Sequence, residues 1–126
     1  MKQLNVMIVD DSLVDVHFLS STLTKLGHKV VRTARTGAEA LIAYKACNPD
    51  VVTMDITMPD MDGIEAAEKI VKSYPDARII IVTSHGEKSI VLNALKAGAK
   101  GYILKPIQMD KLRDTLEQVV SDIVKK

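Results

Sequence analysis

The 126-residue sequence contains few of the features that mark secreted, membrane or nucleic-acid-binding proteins. Its single cysteine, Cys47, cannot form an internal disulfide. No stretch approaches the roughly 18 consecutive apolar residues of a membrane-spanning helix, and the N-terminus lacks the layout of a signal peptide. The net charge of +1 argues against a general electrostatic attraction to nucleic acid or acidic lipid. We therefore expect a soluble, cytoplasmic protein.

Aromatic residues are also scarce, at 3% of the chain, so the core must be built from aliphatic side chains and methionine. Hydrophobic residues reach 47%, which is enough to fill a core and argues against intrinsic disorder. The length is that of one ordinary domain. Because no linker, repeat or low-complexity tract divides the chain, we predict a single domain over residues 1–126.

Short apolar runs alternate five times with helical patterns. Runs rich in β-branched and aliphatic residues are typical of buried strands, which we predict at residues 4–9, 29–31, 51–54, 79–82 and 102–104. Amphipathic stripes, capping signals and Gly or Pro stops predict helices at residues 12–26, 36–46, 64–74, 88–97 and 109–124. The first helix is striped by Leu13, Val16, Leu19, Leu23 and Leu26, and the last by Leu112, Leu116, Val119, Val120 and Ile123. This alternation predicts an α/β fold with a parallel sheet covered on both faces.

Four of the predicted strands end in polar signatures. These are Asp10-Asp11, Asp55, Thr83-Ser84 and Lys105-Pro106. Because side chains just past the carboxyl ends of parallel strands meet in one crevice, three carboxylates, a hydroxyl and an ammonium should converge. The sequence therefore predicts a site for a divalent cation and a phosphoryl group at this edge.

The adjacent carboxylates of Asp10 and Asp11, with Asp55 nearby, are costly to place. At a separation of about 5 Å and an effective dielectric of about 20, each pair repels by roughly 3 kcal/mol. Such a cluster needs a cation or another neutralising partner. Mg²⁺ suits it, because that ion takes oxygen ligands and keeps several waters while it bridges to phosphate. A solvated turn with a helix cap is the ordinary alternative for the Asp10-Asp11 pair.

Asp55 is the candidate nucleophile, because a carboxylate can accept a phosphoryl group as an aspartyl phosphate. Lys105 can reach a phosphate as a flexible point charge, and Thr83 offers a hydroxyl donor. Phosphoryl transfer needs mainly positioning and charge stabilisation, which these groups supply. Taken singly, Asp55 is as readily an aspartate that caps a turn, Lys105 a solvated lysine and Thr83 an ordinary strand residue.

These motifs together resemble those of response-regulator receiver domains of the CheY-like kind, over essentially the whole chain. The matching stretches are residues 9–12, 49–55, 58–63, 81–84, 97–102 and 104–106. The resemblance implies a doubly wound, five-stranded parallel sheet of order 2-1-3-4-5, as in the flavodoxin-like (βα)5 architecture.

The resemblance also implies roles for single residues. Asp55 matches the phosphorylated aspartate, Asp10 and Asp11 the acidic pair that organises Mg²⁺, and the backbone carbonyl of Thr57 the remaining metal ligand. Thr83 matches the switch hydroxyl, Tyr102 the aromatic that changes rotamer, and Lys105 the phosphate-binding lysine. It further implies a cis Lys105–Pro106 bond. Thr57 and His85 occupy positions that tune dephosphorylation in the family.

The partners implied are a sensor histidine kinase or histidine phosphotransfer protein, or a small phosphodonor, since neither His17 nor His28 is placed as a donor. Downstream, the resemblance implies a protein target on the face of helix 4, strand 5 and helix 5, and a phosphorylation-dependent homodimer as a further option. It implies no enzymatic activity beyond the domain's own phosphorylation and dephosphorylation, no nucleic-acid contact and no membrane insertion. We expect a stand-alone regulator, with a receiver cut from a longer chain as the alternative.

Two other functions remain open at this point. A Mg²⁺-dependent phosphatase of the haloacid-dehalogenase type also uses an aspartate nucleophile, but it expects a second carboxylate two residues later, where Thr57 stands. A flavodoxin-like FMN module shares the architecture, but Asp10 and Asp11 would repel its phosphate.

Overall fold

The computed structural model describes residues 2–121. The strands are β1 (Asn5–Val9), β2 (Lys29–Ala34), β3 (Val51–Met54), β4 (Ile79–Thr83) and β5 (Gly101–Leu104). The helices are α1 (Leu13–Lys25), α2 (Gly37–Cys47), α3 (Gly63–Ser73), α4 (Lys88–Lys96) and α5 (Met109–Val119). Strands and helices alternate along the chain, as the periodicity predicts.

All five strands are parallel and lie in the order β2-β1-β3-β4-β5, which confirms the predicted topology. Strands β1 and β3 pair in a register that aligns Val9 with Met54. Asp10 and Asp55 therefore leave the sheet side by side. Where β4 pairs with β5, Thr83 is aligned with Leu104, so the residue after β5, Lys105, emerges next to Thr83.

Helices cover both faces of the sheet, and each face has its own core. On one face α2, α3 and α4 pack on alternate strand residues such as Met7, Met54 and Ile81. On the other, α1 and α5 pack on Ile8, Ile80 and their neighbours. All the strand residues of β3 and β4 are buried, because these strands are covered on both sides.

Side-chain caps begin three of the helices at the carboxyl edge of the sheet. Ser12 accepts a hydrogen bond from the N–H of Asp15, and Asp62 accepts one from the N–H of Glu65. Thr36 accepts from the N–H of Glu39, as its capping spacing predicts. The caps fix the entry of α1, α2 and α3, and thereby the loops that surround the polar edge.

Two details differ from the sequence predictions, and a third falls outside residues 2–121. β2 continues to Ala34, because it is an edge strand whose exposed Arg32 and Thr33 interrupt the apolar run without ending the pairing. Leu13 does not join the buried stripe of α1, since it begins the helix beyond the sheet edge and is 66% exposed. The predicted end of α5, with Ile123, lies outside the described residues. Within residues 2–121, no helix has the length and apolar character needed to cross a membrane.

Candidate functional site

The structure brings the predicted polar residues together at the carboxyl edge of the sheet. Carboxylate oxygens of Asp10, Asp11 and Asp55 lie within 4.8 Å of one another. The Lys105 ammonium reaches this cluster from the loop after β5, at 3.1 Å from Asp10 and 3.5 Å from Asp55. The edge thus groups three carboxylates with one ammonium.

Asp10 and Asp55 are buried, at 5% and 7% exposure, whereas Asp11 is exposed. Asp10 is fixed at both oxygens, because Oδ1 accepts from the N–H of Ser12 at 2.9 Å and Oδ2 accepts from Lys105. The backbone N–H of Asp55 donates to the carbonyl of Val9 at 2.9 Å, which continues the β1–β3 ladder by one step. The sheet therefore holds the backbone of Asp55, and the Asp10 carboxylate is held by Ser12 and Lys105.

The Asp55 carboxyl is electrostatically unfavourable as an anion. Its burial, and next the charge of Asp10, raise its pKa to about 6, although the nearby Lys105 ammonium works in the opposite direction. A carboxylate with so raised a pKa gains from any cation that approaches it. This is the behaviour expected of a group that serves chemistry rather than stability.

Lys105 is mostly buried, and burial by itself would lower its pKa. Hydrogen bonds to Asp15 and Asp10, with the charges of Asp55 and Asp10, outweigh that effect and raise the pKa well above its ordinary range. The lysine is therefore fully charged at any physiological pH. Its closest partner is Asp15 of α1, at 2.8 Å.

Gly63, the first residue of α3, lies directly against the backbone of Asp55. A Cβ atom at Gly63 would come within 1.9 Å of the Asp55 carbonyl oxygen. The N–H of Gly63 donates to the carbonyl of Ile56 at 2.7 Å, so helix and strand end are joined here. The absence of a side chain at Gly63 allows α3 to hold the loop that carries Asp55.

Thr83 and Tyr102 both bind the backbone of His85 in the loop before α4. The Thr83 hydroxyl accepts from the N–H of His85 at 3.2 Å, and the Tyr102 hydroxyl donates to its carbonyl. Thr83 is buried, and Tyr102 is partly buried against the core under α4. The two side chains are thus linked through one residue of the loop between them.

The structure also gives the positions of the other residues named in the sequence analysis. Thr57 is exposed in the loop after β3, and the Lys105–Pro106 bond is cis. The His85 imidazole is exposed and lies 3.9 Å from Glu87. His17 is exposed on α1, whereas His28 is buried before β2, at the opposite edge, where Nδ1 accepts from the N–H of Leu4.

The three carboxylates fit a magnesium ion by the nature of their donors. Asp10, Asp11 and Asp55 form a compact group that offers only oxygen ligands. Hard oxygen donors in small number are what Mg²⁺ takes when it also keeps waters and binds phosphate. The raised pKa of Asp55 agrees, because a nearby cation would relieve the strain on its charge.

Sequence reasoning missed two residues of the site, Asp15 and Gly63. Asp15 has the form of an ordinary acidic residue in the first turn of a helix, where the helix dipole favours it. Gly63 stood inside a recognised motif, but only the packing of α3 on Asp55 gives it a role. The pattern Asp62-Gly63 before a helix was the available signal.

Comparison with known proteins identifies the family. The sequence model of the family described as the response regulator receiver domain matches residues 6–117. This chain is a response regulator receiver domain. It is 44% identical to the chemotaxis protein CheY of Thermotoga maritima over 90% of this chain and 95% of that protein. It is 41% identical to CheY of Bacillus subtilis over 92% of this chain and 97% of that protein.

Solved structures agree with this assignment. The receiver domain superimposes on CheY of Borrelia burgdorferi, solved in a complex with CheX, BeF3 and magnesium, with a TM-score of 0.87 and 40% identity. That alignment covers 91% of this chain and 87% of the other. The family decides between the functions that the sequence left open. The domain is a phosphoacceptor module of two-component signalling, related to CheY.

Proposed function

We propose that Asp55 is the phosphoryl acceptor of this receiver domain. The observation that supports it most strongly is the position of Asp55 at the end of the central strand. There it is buried, 3.5 Å from the Lys105 ammonium and grouped with the carboxylates of Asp10 and Asp11. Asp10 is already committed to Ser12 and Lys105, and Asp11 is exposed. Asp55 is therefore the carboxylate best placed to attack.

In the proposed reaction a carboxylate oxygen of Asp55 attacks the phosphorus of the donor. The bond from phosphorus to the donor atom breaks, and its electron pair leaves with the donor, while an acyl phosphate forms on Asp55. The donor is a phosphohistidine on a kinase or phosphotransfer protein, or a small phosphodonor. Lys105 donates to the phosphoryl oxygens and offsets the charge that they bring to the site.

We propose that Asp10, Asp11 and Asp55, with the backbone carbonyl of Thr57, hold the Mg²⁺ that receiver domains use. When bound, Mg²⁺ supplies charge neutralisation and orientation for the phosphoryl oxygens. Asp10 is fixed by Ser12 and Lys105 in the unphosphorylated domain, so it defines the position of the site. In this scheme the domain catalyses only its own phosphorylation and dephosphorylation, which the variable side chains of Thr57 and His85 tune.

Incubation with acetyl phosphate and Mg²⁺ tests the acceptor by intact mass. The parent should gain one phosphoryl group, and Asp55→Asn should gain none. Asp50→Asn is the matched control, because Asp50 precedes the same strand at the opposite edge and binds the N–H of Asn5. If Asp55→Asn is modified as extensively as the parent, the acceptor lies elsewhere.

The metal assignment has its own test. Asp11→Ala should abolish phosphorylation and leave the fold intact, because Asp11 is exposed and its removal relieves carboxylate repulsion. A titration of Mg²⁺ followed by NMR should show weak binding to the parent and none to the variant. An Asp11→Ala protein that is phosphorylated as fast as the parent would exclude Asp11 from the metal site.

We propose that Thr83 and Tyr102 carry the signal away from Asp55. A phosphoryl group on Asp55 draws the Thr83 hydroxyl towards it, and Thr83 then gives up its contact with the N–H of His85. The loop before α4, to which Tyr102 is hydrogen-bonded at the His85 carbonyl, shifts together with Thr83. The change is a shift between two arrangements of one loop and one aromatic ring.

The surface that would report this switch is the face of α4, β5 and α5. Four large apolar side chains on it are 41–51% exposed: Leu92, Leu95, Leu104 and Met109. A groove of about 420 Å³ lies between Tyr102 and α5. Exposed apolar groups in one region favour protein contact. We propose this face as the site of a downstream protein partner, or of a phosphorylation-dependent homodimer. CheX in the Borrelia complex exemplifies the class of partner.

Beryllofluoride, which mimics the aspartyl phosphate, tests the switch. It should shift the NMR signals of Tyr102 and of α4, and Thr83→Ala should weaken those shifts while phosphorylation persists at a lower level. Sedimentation with and without beryllofluoride separates a homodimer from a different partner. Shifts confined to the loops around Asp11, Asp55 and Lys105 would contradict the proposed switch.

A further inference from the structure

Lys105 is shared between carboxylates with very different environments. It lies 2.8 Å from Asp15, 3.1 Å from Asp10 and 3.5 Å from Asp55. The shortest contact is to Asp15, which lies outside the acidic group of Asp10, Asp11 and Asp55. In the unphosphorylated domain, the lysine is therefore closer to a residue of α1 than to the acceptor.

Asp15 is the partner that can release the lysine at least cost. Its side chain is 44% exposed, so water can solvate the carboxylate once the contact is broken. The side chain of Asp10 is only 6% exposed, and leaving that charge unpaired in a buried position would be far more costly. Lys105, at 18% exposure, stays within the site whichever partner it binds.

A phosphoryl group on Asp55 changes the competition for Lys105. It adds negative charge and three acceptor oxygens close to a lysine that already lies 3.5 Å from Asp55. The ammonium has three N–H groups to distribute. Lys105 then gains a contact to the phosphoryl oxygens at the lowest free-energy cost by giving up its contact with the exposed carboxylate of Asp15.

We propose that Asp15 is a positioning residue that binds the Lys105 ammonium in the unphosphorylated domain and loses it to the arriving phosphoryl group. This proposal rests on the proposed function of Asp55 and Lys105. Asp15 thereby sets how readily the domain becomes phosphorylated. Removing its charge frees Lys105 in advance, and the phosphoryl group no longer competes with a resident anion.

Two measurements on the full chain test this role. One is the rate of phosphorylation by acetyl phosphate at fixed Mg²⁺, followed by intact mass, and the other is the affinity for beryllofluoride, followed by NMR. Asp15→Asn should raise both by about two- to fivefold, the range expected for one partly exposed ion pair. Asp15→Glu should return both towards the parent values. Asp114→Asn is the matched control, because it removes the same charge from an exposed pair with Arg113 on α5 and should change neither.

The dependence on Lys105 separates positioning from a general charge effect on the anionic donor. In a Lys105→Met background, Asp15→Asn should have no effect on beryllofluoride affinity. The same gain with and without Lys105 would overturn the proposal, as would an Asp15→Asn protein that matches the parent in both measurements. A parent that takes no phosphoryl group would overturn this proposal and the function of Asp55 together, so the two failures are distinguishable.

Discussion

In the absence of divalent metal, replacing Asp55 by Asn should stabilise the receiver domain, and the gain should depend on pH. Burial beside Asp10 raises the pKa of Asp55 from its ordinary value of 3.8 to about 6 in the folded protein. The folded state therefore holds the Asp55 proton more tightly than the unfolded state does. The ionised carboxylate lowers stability above pH 6, and this cost disappears as the pH falls below the unfolded value.

The size of the effect follows from the two pKa values. Each pKa unit corresponds to about 1.4 kcal/mol, so the fully ionised Asp55 costs about 3 kcal/mol. The attraction of Lys105 is already contained in that value, since it acts on the same pKa. Asp55→Asn should raise the free energy of unfolding by about 3 kcal/mol at pH 8 and by about half as much at pH 5. Against a typical total of about 5–15 kcal/mol, the change is easily measured.

Urea unfolding of parent and variant in chelator, at pH values from 5 to 8, provides the assay. Asp114→Asn controls for the change of net charge, because Asp114 lies on the exposed surface of α5. Saturating Mg²⁺ should reduce the difference in free energy of unfolding between variant and parent, because binding of the ion stabilises the parent more than the variant. A difference that is independent of pH, or an Asn variant less stable than the parent at pH 8, would refute the electrostatic reasoning.

Three further predictions concern stability. The Thr53 hydroxyl is buried without a hydrogen-bond partner among the described residues, so Thr53→Val should stabilise the fold by about 1–3 kcal/mol in urea unfolding. Thr22→Val, which removes a satisfied hydroxyl, should not. Gly63→Ala should cost about 1–3 kcal/mol and slow phosphorylation, because its Cβ would meet the Asp55 carbonyl; parent-like values for both would contradict that packing. Burial lowers the pKa of His28 below 6.5, so its contribution to stability is present above that pH and is lost below it. The stability advantage of the parent over His28→Gln should therefore shrink from pH 7 to pH 5.

The sequence was sufficient for those parts of the fold that follow from local patterns. Polar residues at the ends of apolar runs indicated which edge of the sheet would hold the site, and the structure groups Asp10, Asp55 and Lys105 there. This works because parallel strands have one carboxyl edge, so the position along a strand fixes the position in space. The strand order itself came from the family resemblance, since alternation alone does not specify it.

Features that depend on packing across the fold could not be predicted. The contact between Asp15 and Lys105 joins residues 90 positions apart, where the loop after β5 meets the start of α1. No local signal separates Asp15 from any acidic residue in a first helical turn. The exposure of Leu13 and the unpaired hydroxyl of Thr53 are of the same kind, because composition and periodicity assign both residues to the core.

The electrostatics of the site suggest why its instability is retained. Burial makes the Asp55 charge unfavourable, and the same burial places the carboxylate at the end of a rigid strand, beside Lys105 and the acidic pair. If Asp55 were solvated, its charge would cost little, but a cation or a phosphoryl group would then change little as well. Because the resting site holds more negative than positive charge, arriving ligands can redistribute Lys105 and the loop at Thr83. The resting state is thus less stable than the fold would allow, and in the proposed switch that deficit contributes to the free-energy difference between the two states.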